Sequence, residues 1–178
     1  MNNFFKKINQ KDVFIHATEG VWGLGVCAQS AEGFQKLCSL KGRGFQIPCV
    51  CLTSRDEDIN QWVDFNHLTT VQWKFYQEKK FTFTTFLLPA SKYVPSHCVR
   101  DGKVAIRQSQ QDHIRELVHF FNSPILSSSA NLTGYPPAKS LEEAMSLFPF
   151  LLVAPGELGS MGKPSAIYDL IEERYIRL

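Results

Sequence analysis

The sequence predicts a single α/β domain built on a mixed β-sheet with flanking helices. Its 178 residues are about one domain's worth of chain, since a domain has roughly 150 residues. Strand-like and helix-like segments alternate in the first two-thirds, and strand follows strand in the last third, which favours a mixed sheet over a purely parallel one. The 44% hydrophobic and 20% charged residues are typical of a globular protein and exclude disorder, a collagen-like structure or a coiled coil.

The first half of the chain predicts two strands and two helical regions. Residues 13–15 are an apolar run that predicts a short buried strand, and residues 18–25 are too glycine-rich for a helix and predict a loop. Ser30 is a typical N-cap for a helix to about residue 40. Residues 49–52 predict a second strand, and residues 56–79 are mostly helical in pattern.

The second half continues the alternation. Residues 81–88 are rich in aromatic and β-branched side chains and predict a strand that ends at Pro89. Apolar residues spaced i, i+3, i+4, i+7 predict an amphipathic helix over residues 114–121, and Ser140 with Glu143 forms the pattern of a capping box before another helix. Further short strands are predicted at residues 104–106, 125–126, 151–154, 166–171 and 175–178, the last closing a hairpin.

Charge and cysteine content limit the location and the partners. The net charge of +2 argues neither for nor against a polyanionic partner. Five cysteines, with no CxxC pair, make a poor disulfide framework, and buried thiols are favoured over a metal site. No apolar leader is found at the N-terminus, and no stretch reaches the ~20 apolar residues of a membrane span. We therefore expect a cytoplasmic protein.

Polar residues gather where predicted strands and helices end, and the first two clusters have ordinary alternatives. Glycines in residues 16–25 would let a ligand approach the backbone, and Thr18 offers a hydroxyl, although such sequences also form simple turns. Lys41 and Arg43 flank a glycine just past a helix end. Two cations suit a phosphate site, but they also suit a solvated helix C-terminus.

Three further polar features lie downstream. Residues 127–129 are serines that directly follow a strand, and with Asn131 they supply donors for carboxylate or phosphate oxygens. The alternative is a plain turn. Arg107, at a strand end, could clamp a carboxylate or form a surface ion pair, and residues 155–169 resemble a polar loop that leads into a strand.

The order of these segments resembles the YrdC/TsaC family, the threonylcarbamoyl-AMP synthases. The resemblance runs from about Val13 to Asp169 and implies one YrdC-like domain over residues 1–178, with an open, twisted sheet around a deep basic cleft. The motifs that carry it are Thr18-Glu19 with Trp22-Gly23-Leu24-Gly25, Lys41-x-Arg43, Ser129-Ala130-Asn131-x-x-Gly134 and Ser165 to Asp169.

The resemblance implies an activity and site residues. Such enzymes condense L-threonine, bicarbonate or CO2, and ATP into threonylcarbamoyl-AMP and pyrophosphate, which begins the formation of N6-threonylcarbamoyladenosine at position 37 of tRNA. Magnesium is expected with the triphosphate, and tRNA and the other proteins of that pathway are further partners. The implied ATP-binding residues are Lys41, Arg43, Ser129 and Asn131. The implied threonine-binding residues are Thr18, Arg107 and Ser165, with Arg107 on the carboxylate.

The sequence also departs from the family pattern. Ala17 stands where the family usually has proline, with His16 before it, and Phe81-Thr82-Phe83 replaces a proline-glycine-proline segment. The main alternative is a non-catalytic RNA-binding module that keeps the basic cleft, although no basic stretch is interleaved with aromatic residues. A third alternative is a domain that carries another carbamoyl or acyl adenylate.

Overall fold

The described residues, 3–42 and 49–178 of a computed structural model, form a ten-stranded mixed sheet with helices on both faces. The strand order is β10-β9-β4-β6-β3-β7-β2-β1-β8, with β5 beside β6. The strands are β1 (Phe14–His16), β2 (Gly23–Cys27), β3 (Val50–Thr53), β4 (Thr84–Pro89), β5 (Val99–Arg100), β6 (Lys103–Gln108), β7 (Ile125–Ser129), β8 (Leu152–Val153), β9 (Ala166–Asp169) and β10 (Arg174–Arg177). The helices are α1 (Asn3–Lys7), α2 (Ala31–Leu40), α3 (Asp56–Trp62), α4 (Thr70–Lys79), α5 (Asp112–Phe121) and α6 (Leu141–Leu147).

The sheet is mixed, which confirms the predicted fold class. Strands β1 and β8, β3 and β6, and β4 and β9 pair in parallel, and the other neighbours pair antiparallel. The predicted C-terminal hairpin is also confirmed, since β9 and β10 are antiparallel neighbours. The hairpin brings Arg177 opposite Ile167, close to the site described below.

The glycine-rich segment predicted as a loop continues as a buried strand, β2. The prediction failed because glycine in a strand marks a close approach of other groups rather than a turn. A Cβ atom on Gly23 would lie 2.8 Å from Nε2 of His16, and one on Gly25 would lie 2.8 Å from Cε2 of Phe14. The two glycines therefore allow the rings of β1 to lie across the neighbouring strand.

Residues 56–79 are mostly helical, as predicted, and form two helices. Helix α3 ends at Trp62, a 3-10 turn spans Phe65–His67, and α4 begins after the N-cap Thr69. Thr69 and Gln72 form a complete capping box, a start signal that the overall helical pattern conceals. The strand predicted at 81–88 begins at Thr84, and the strand predicted at 166–171 ends at Asp169.

Two hydrophobic clusters lie on opposite faces of the sheet. Helices α2, α3, α4 and α6 contribute Leu37, Ile59, Tyr76 and Ala144 to the larger one. Helices α1 and α5 contribute to the smaller one, which confirms the amphipathic pattern of residues 114–121. The five cysteines are buried, as predicted. The sheet face that α5 covers becomes polar toward the strand ends. The candidate site lies at these strand ends.

Candidate active site

A cavity of about 210 Å³ opens where strand ends and connecting loops converge. Its walls come from β3, β6, β7, the β9–β10 hairpin and the loop after β1. The described residues that line it include two arginines, four serines and no carboxylate. They are Thr18, Val21, Val50, Leu52, Phe83, Arg107, Ser127, Ser128, Ser129, Pro164, Ser165, Ile167 and Arg177. The cavity is basic, as the resemblance implies, and it is also rich in hydroxyl groups.

Arg107 is a buried cation near the end of β6. Its Nη2 lies 2.8 Å from Oε2 of Glu19, and Ser109 donates a 2.6 Å hydrogen bond to Oε1 of the same carboxylate. Its guanidinium carbon lies 5.1 Å from the ring centroid of Phe83. Burial lowers the pKa of Arg107, and the charge of Glu19 opposes that shift. The ion pair considered from the sequence exists, but it is internal rather than on the surface.

The pairing with Glu19 does not use every N–H group of the Arg107 guanidinium. The Nε–H of Arg107 is buried and has no hydrogen-bond partner among the described residues. A buried donor without a partner costs free energy. Arg107 also lines the cavity, so its guanidinium contributes a positive charge to the cavity wall.

Lys41 is buried against the turn that follows β7. Its ammonium donates to the backbone oxygens of Ser129 and Asn131, the latter at 2.9 Å, and to Oδ1 of Asn131 at 3.0 Å. This is a different environment from the solvated helix C-terminus considered above. Arg43, its predicted partner at the phosphates, lies outside the described residues.

Ser129 and Asn131 belong to the same hydrogen-bonded turn. Ser129 donates a 2.6 Å hydrogen bond to Oδ1 of Asn131, and Nδ2 of Asn131 donates to the backbone oxygens of Tyr135 at 2.5 Å and Leu132 at 3.1 Å. Ser129 lines the cavity, whereas the bonds of Asn131 run within the turn and to Lys41. The structure therefore brings together three of the four predicted ATP-binding residues, with Lys41 and Asn131 supporting Ser129.

Thr18 lines the cavity but uses its hydroxyl within its own loop. The hydroxyl donates to the backbone oxygen of Val21 at 2.7 Å and accepts from the N–H groups of Gly20 and Val21. The loop after β8 packs on this segment, since Gly159 donates its N–H to the oxygen of Thr18 at 2.9 Å. A Cβ on Gly20 would lie 2.0 Å from the oxygen of Lys163, so this contact requires glycine.

Ser165 lies at the opposite wall, beside β4 and β10. Its hydroxyl is 2.8 Å from that of Thr85, and its backbone oxygen accepts from Nη2 and Nε of Arg177 at 2.7 and 3.1 Å. Sequence reasoning did not select Arg177. The predicted terminal hairpin could have identified Arg177, because pairing residues 175–178 with residues 166–171 places residue 177 near Ser165.

Sequence reasoning also missed the role of His16, which is fully buried. Its Nδ1 lies 2.9 Å from the backbone oxygen of Ala17, and its Nε2 lies 3.0 Å from Oγ of Ser127, a residue of the cavity wall. Burial is the main cause that lowers the pKa of His16 from 6.5 to about 4, with smaller contributions from the charges of His113 and Arg107. The ring is therefore neutral at pH 7.

The low pKa of His16 predicts a loss of stability in acid. Below pH 6.5 the unfolded chain binds a proton at His16 that the folded protein accepts only near pH 4, so the free energy of unfolding falls as the pH decreases through this window. In urea denaturation, we expect the decrease from pH 7 to 4.5 to be about 2 kcal/mol larger in the wild type than in His16→Phe. Equal decreases would contradict this assignment, because the two proteins differ only at residue 16.

The fold and this cavity define a small-molecule-binding α/β domain whose walls suit an anionic ligand. The family model for Sua5, YciO and YrdC, described as "Telomere recombination", matches residues 6–178. The chain belongs to this family, and the resemblance stated from its motifs is confirmed. Within residues 3–42 and 49–178, no helix is long and apolar enough to cross a membrane, and no group of three or more His, Cys, Asp or Glu side chains could hold a metal ion.

Individual proteins extend this comparison. A threonylcarbamoyl-AMP synthase of Vibrio campbellii is 31% identical over 184 residues, which cover 99% of both chains. The structure of P. abyssi Sua5 complexed with L-threonine has a TM-score of 0.79 at 22% identity and covers 93% of this chain. E. coli YciO has a TM-score of 0.80 at 17% identity, with coverage of 98% of this chain and 85% of its own. The chain spans about half the length of P. abyssi Sua5, and both structures share its fold.

Proposed function

We propose that the protein is an L-threonylcarbamoyl-AMP synthase, a nucleotidyltransferase that uses L-threonine, bicarbonate or CO2, and ATP and releases pyrophosphate. The observation that carries this proposal is the buried, partly unpartnered guanidinium of Arg107 in the wall of a hydroxyl-rich cavity. An amino-acid carboxylate is the ligand that this group suits. The proposal is supported by the Vibrio campbellii relative, which bears the name of this enzyme and matches along the whole chain.

In this proposal, the threonine lies between Arg107, Thr18 and Ser165. Arg107 binds the carboxylate, while Glu19 and Phe83 hold the guanidinium in place. Thr18 shapes the loop that forms one side of the cavity, because its hydroxyl is hydrogen-bonded within that loop. The Ser165 hydroxyl, shared with Thr85, provides a polar group on the other side.

The ATP-binding residues of the proposal are Lys41, Arg43, Ser129 and Asn131. Ser129 faces the cavity, and Lys41 and Asn131 fix the turn that carries it. We assign a phosphate contact to Arg43 because it follows Lys41 by two residues. The described cavity wall offers hydroxyls rather than carboxylates, which fits a magnesium ion held mainly by the triphosphate and water. When bound, that ion neutralises phosphate charge.

The chemistry needs positioning and charge stabilisation more than a protein nucleophile. The threonine amine attacks carbon dioxide, which bicarbonate supplies by losing hydroxide, and the nitrogen gives up a proton to form a carbamate. A carbamate oxygen then attacks the α-phosphorus of ATP, and the bond to the pyrophosphate oxygen breaks. In this proposal, Arg107 holds L-threonine by its carboxylate, and Lys41 and Arg43 stabilise the negative charge of ATP.

The proposed product places the protein in tRNA modification. Threonylcarbamoyl-AMP would supply the group attached to N6 of adenosine 37, so tRNA and the proteins that complete the transfer are the proposed downstream partners. We propose a cytoplasmic location, since the substrates ATP, bicarbonate and L-threonine are found there together.

The direct test is pyrophosphate release from ATP by the purified protein. We expect release to require both L-threonine and bicarbonate, and omission of either to reduce it to background, because the carbamate is the nucleophile. Mass spectrometry of the reaction checks that threonylcarbamoyl-AMP is formed. Release that ignores both co-substrates would contradict the synthase assignment. Absence of turnover together with RNA binding that weakens steeply with salt would support the RNA-binding alternative instead.

A further inference from the structure

The hydroxyl of Ser127, in the cavity wall, forms a buried hydrogen bond with His16 that fixes the direction in which its proton points. Ser127 lines the cavity on β7, and its Oγ lies 3.0 Å from Nε2 of His16 on β1. Either group could donate the proton of this hydrogen bond, and the surroundings of His16 decide which one does. The answer determines which chemical group of a ligand can bind beside Ser127.

The tautomer of His16 follows from its other nitrogen. Nδ1 lies 2.9 Å from the backbone oxygen of Ala17, which can only accept, so Nδ1 must carry a proton. Burial keeps the ring neutral near pH 7, and a neutral imidazole has one N–H and one bare nitrogen. Nε2 is therefore the bare nitrogen, and Ser127 donates its hydroxyl proton to it.

The surroundings keep the ring in this position. His16 is fully buried, and the titratable groups near it are His113 of α5 and Arg107 of β6. The absence of side chains at Gly23 and Gly25 lets the ring lie across β2, since Cβ atoms there would lie 2.8 and 2.9 Å from ring atoms of His16. The ring thus reaches Ser127 across an intervening strand.

We propose that His16 is a positioning residue that makes Ser127 a pure hydrogen-bond acceptor toward the cavity. A serine hydroxyl has one proton and two lone pairs, and the proton is used on His16. Phosphate oxygens without a proton offer no donor, so Ser127 selects an ammonium or hydroxyl group instead. This inference rests on the proposed function, in which L-threonine carries both donors, and it assigns Ser127 to the amino acid rather than to ATP.

Steady-state kinetics of pyrophosphate release test the assignment. We expect His16→Phe, which keeps a ring but removes the acceptor, to raise KM for L-threonine about tenfold, with kcat and KM for ATP nearly unchanged. Ser127→Ala should do the same. His16→Gln offers a side-chain oxygen to Ser127 and should restore most of the threonine affinity. Ser39→Ala, which removes an exposed hydroxyl of α2, is the matched control and should leave all three constants unchanged.

The outcomes separate this inference from the proposed function. A wild-type protein without threonine-dependent release would overturn the proposed function and the ligand assigned here. A threonine-dependent wild type whose KM for L-threonine is unchanged in Ser127→Ala would overturn the inference alone, as would a rise in KM for ATP only. Ser127→Ala decides if His16→Phe does not fold. Two-bond ¹H–¹⁵N correlation spectra of the wild type should show His16 protonated on Nδ1, and protonation on Nε2 would overturn the premise.

Discussion

Arg107→Lys is expected to lower kcat/KM for L-threonine by about a hundredfold, because lysine cannot reproduce a planar fork that binds two carboxylates at once. In the folded protein, the guanidinium contacts Glu19 on one side and leaves its buried Nε–H unpartnered. Lysine keeps the positive charge beside Glu19, so the stability should fall much less than the activity. Pyrophosphate release at varied L-threonine, together with thermal unfolding, measures both quantities.

The matched control is Arg115→Lys on α5. Arg115 is exposed and contacts Asp112 at 3.0 Å on the same helix, a type of ion pair that contributes little to stability. We expect its kinetic constants and unfolding temperature to equal those of the wild type. An Arg107→Lys protein with full threonine-dependent activity would show that another group binds the carboxylate.

Local patterns in the sequence predict the fold well where they depend on neighbouring residues. The spacing of Ile114, Leu117, Val118 and Phe121 reflects one face of a helix, and that face packs against the sheet. The polar clusters that follow predicted strands also come together in the folded protein, since Ser129, Arg107 and Ser165 line one cavity. These features are predictable because strand ends and helix faces are set by sequence separations of a few residues.

The contacts that define the chemistry are long-range, and no local pattern carries them. His16 and Ser127 are 111 residues apart in sequence, and Glu19 meets Ser109 across 90 residues. Glycine likewise has two opposite meanings in this chain. At Gly23, the absence of a side chain allows β2 to pass close to the ring of His16. The local sequence around Gly23 instead resembles a turn. Only the tertiary contact distinguishes these two roles of glycine.

Lys41 illustrates the same difference between a residue type and its role. From the sequence, a lysine just past a helix end is a candidate for either a phosphate contact or a solvated terminus. In the folded protein it is buried against the backbone and side chain of the turn that carries Ser129. Its charge therefore acts on the geometry of that turn, and its contribution to activity and to stability should be coupled.

Lys41→Met is accordingly expected to reduce both stability and activity. The change removes the ammonium from three oxygens, those of the Ser129 and Asn131 backbones and of the Asn131 side chain. The Ser129 backbone oxygen still accepts from the N–H of Asn131, and Oδ1 of Asn131 still accepts from the Ser129 hydroxyl. One backbone oxygen therefore loses its donor and the other two oxygens lose a charge-assisted hydrogen bond, a total cost of about 3 kcal/mol. For a chain of this length, that corresponds to a decrease of roughly 6–12 °C in unfolding temperature.

Lys36→Met, on the helix α2 that Lys41 directly follows, is the matched control. Lys36 is exposed and pairs with Glu32 at 2.9 Å, so its loss should change the free energy of unfolding by less than about 0.5 kcal/mol. Measured below its lowered unfolding temperature, folded Lys41→Met should still release pyrophosphate far more slowly than the wild type, because Ser129 is no longer held at the cavity wall. A Lys41→Met protein as stable as the wild type but inactive would contradict the structural role and would mean that the ammonium acts on the nucleotide instead.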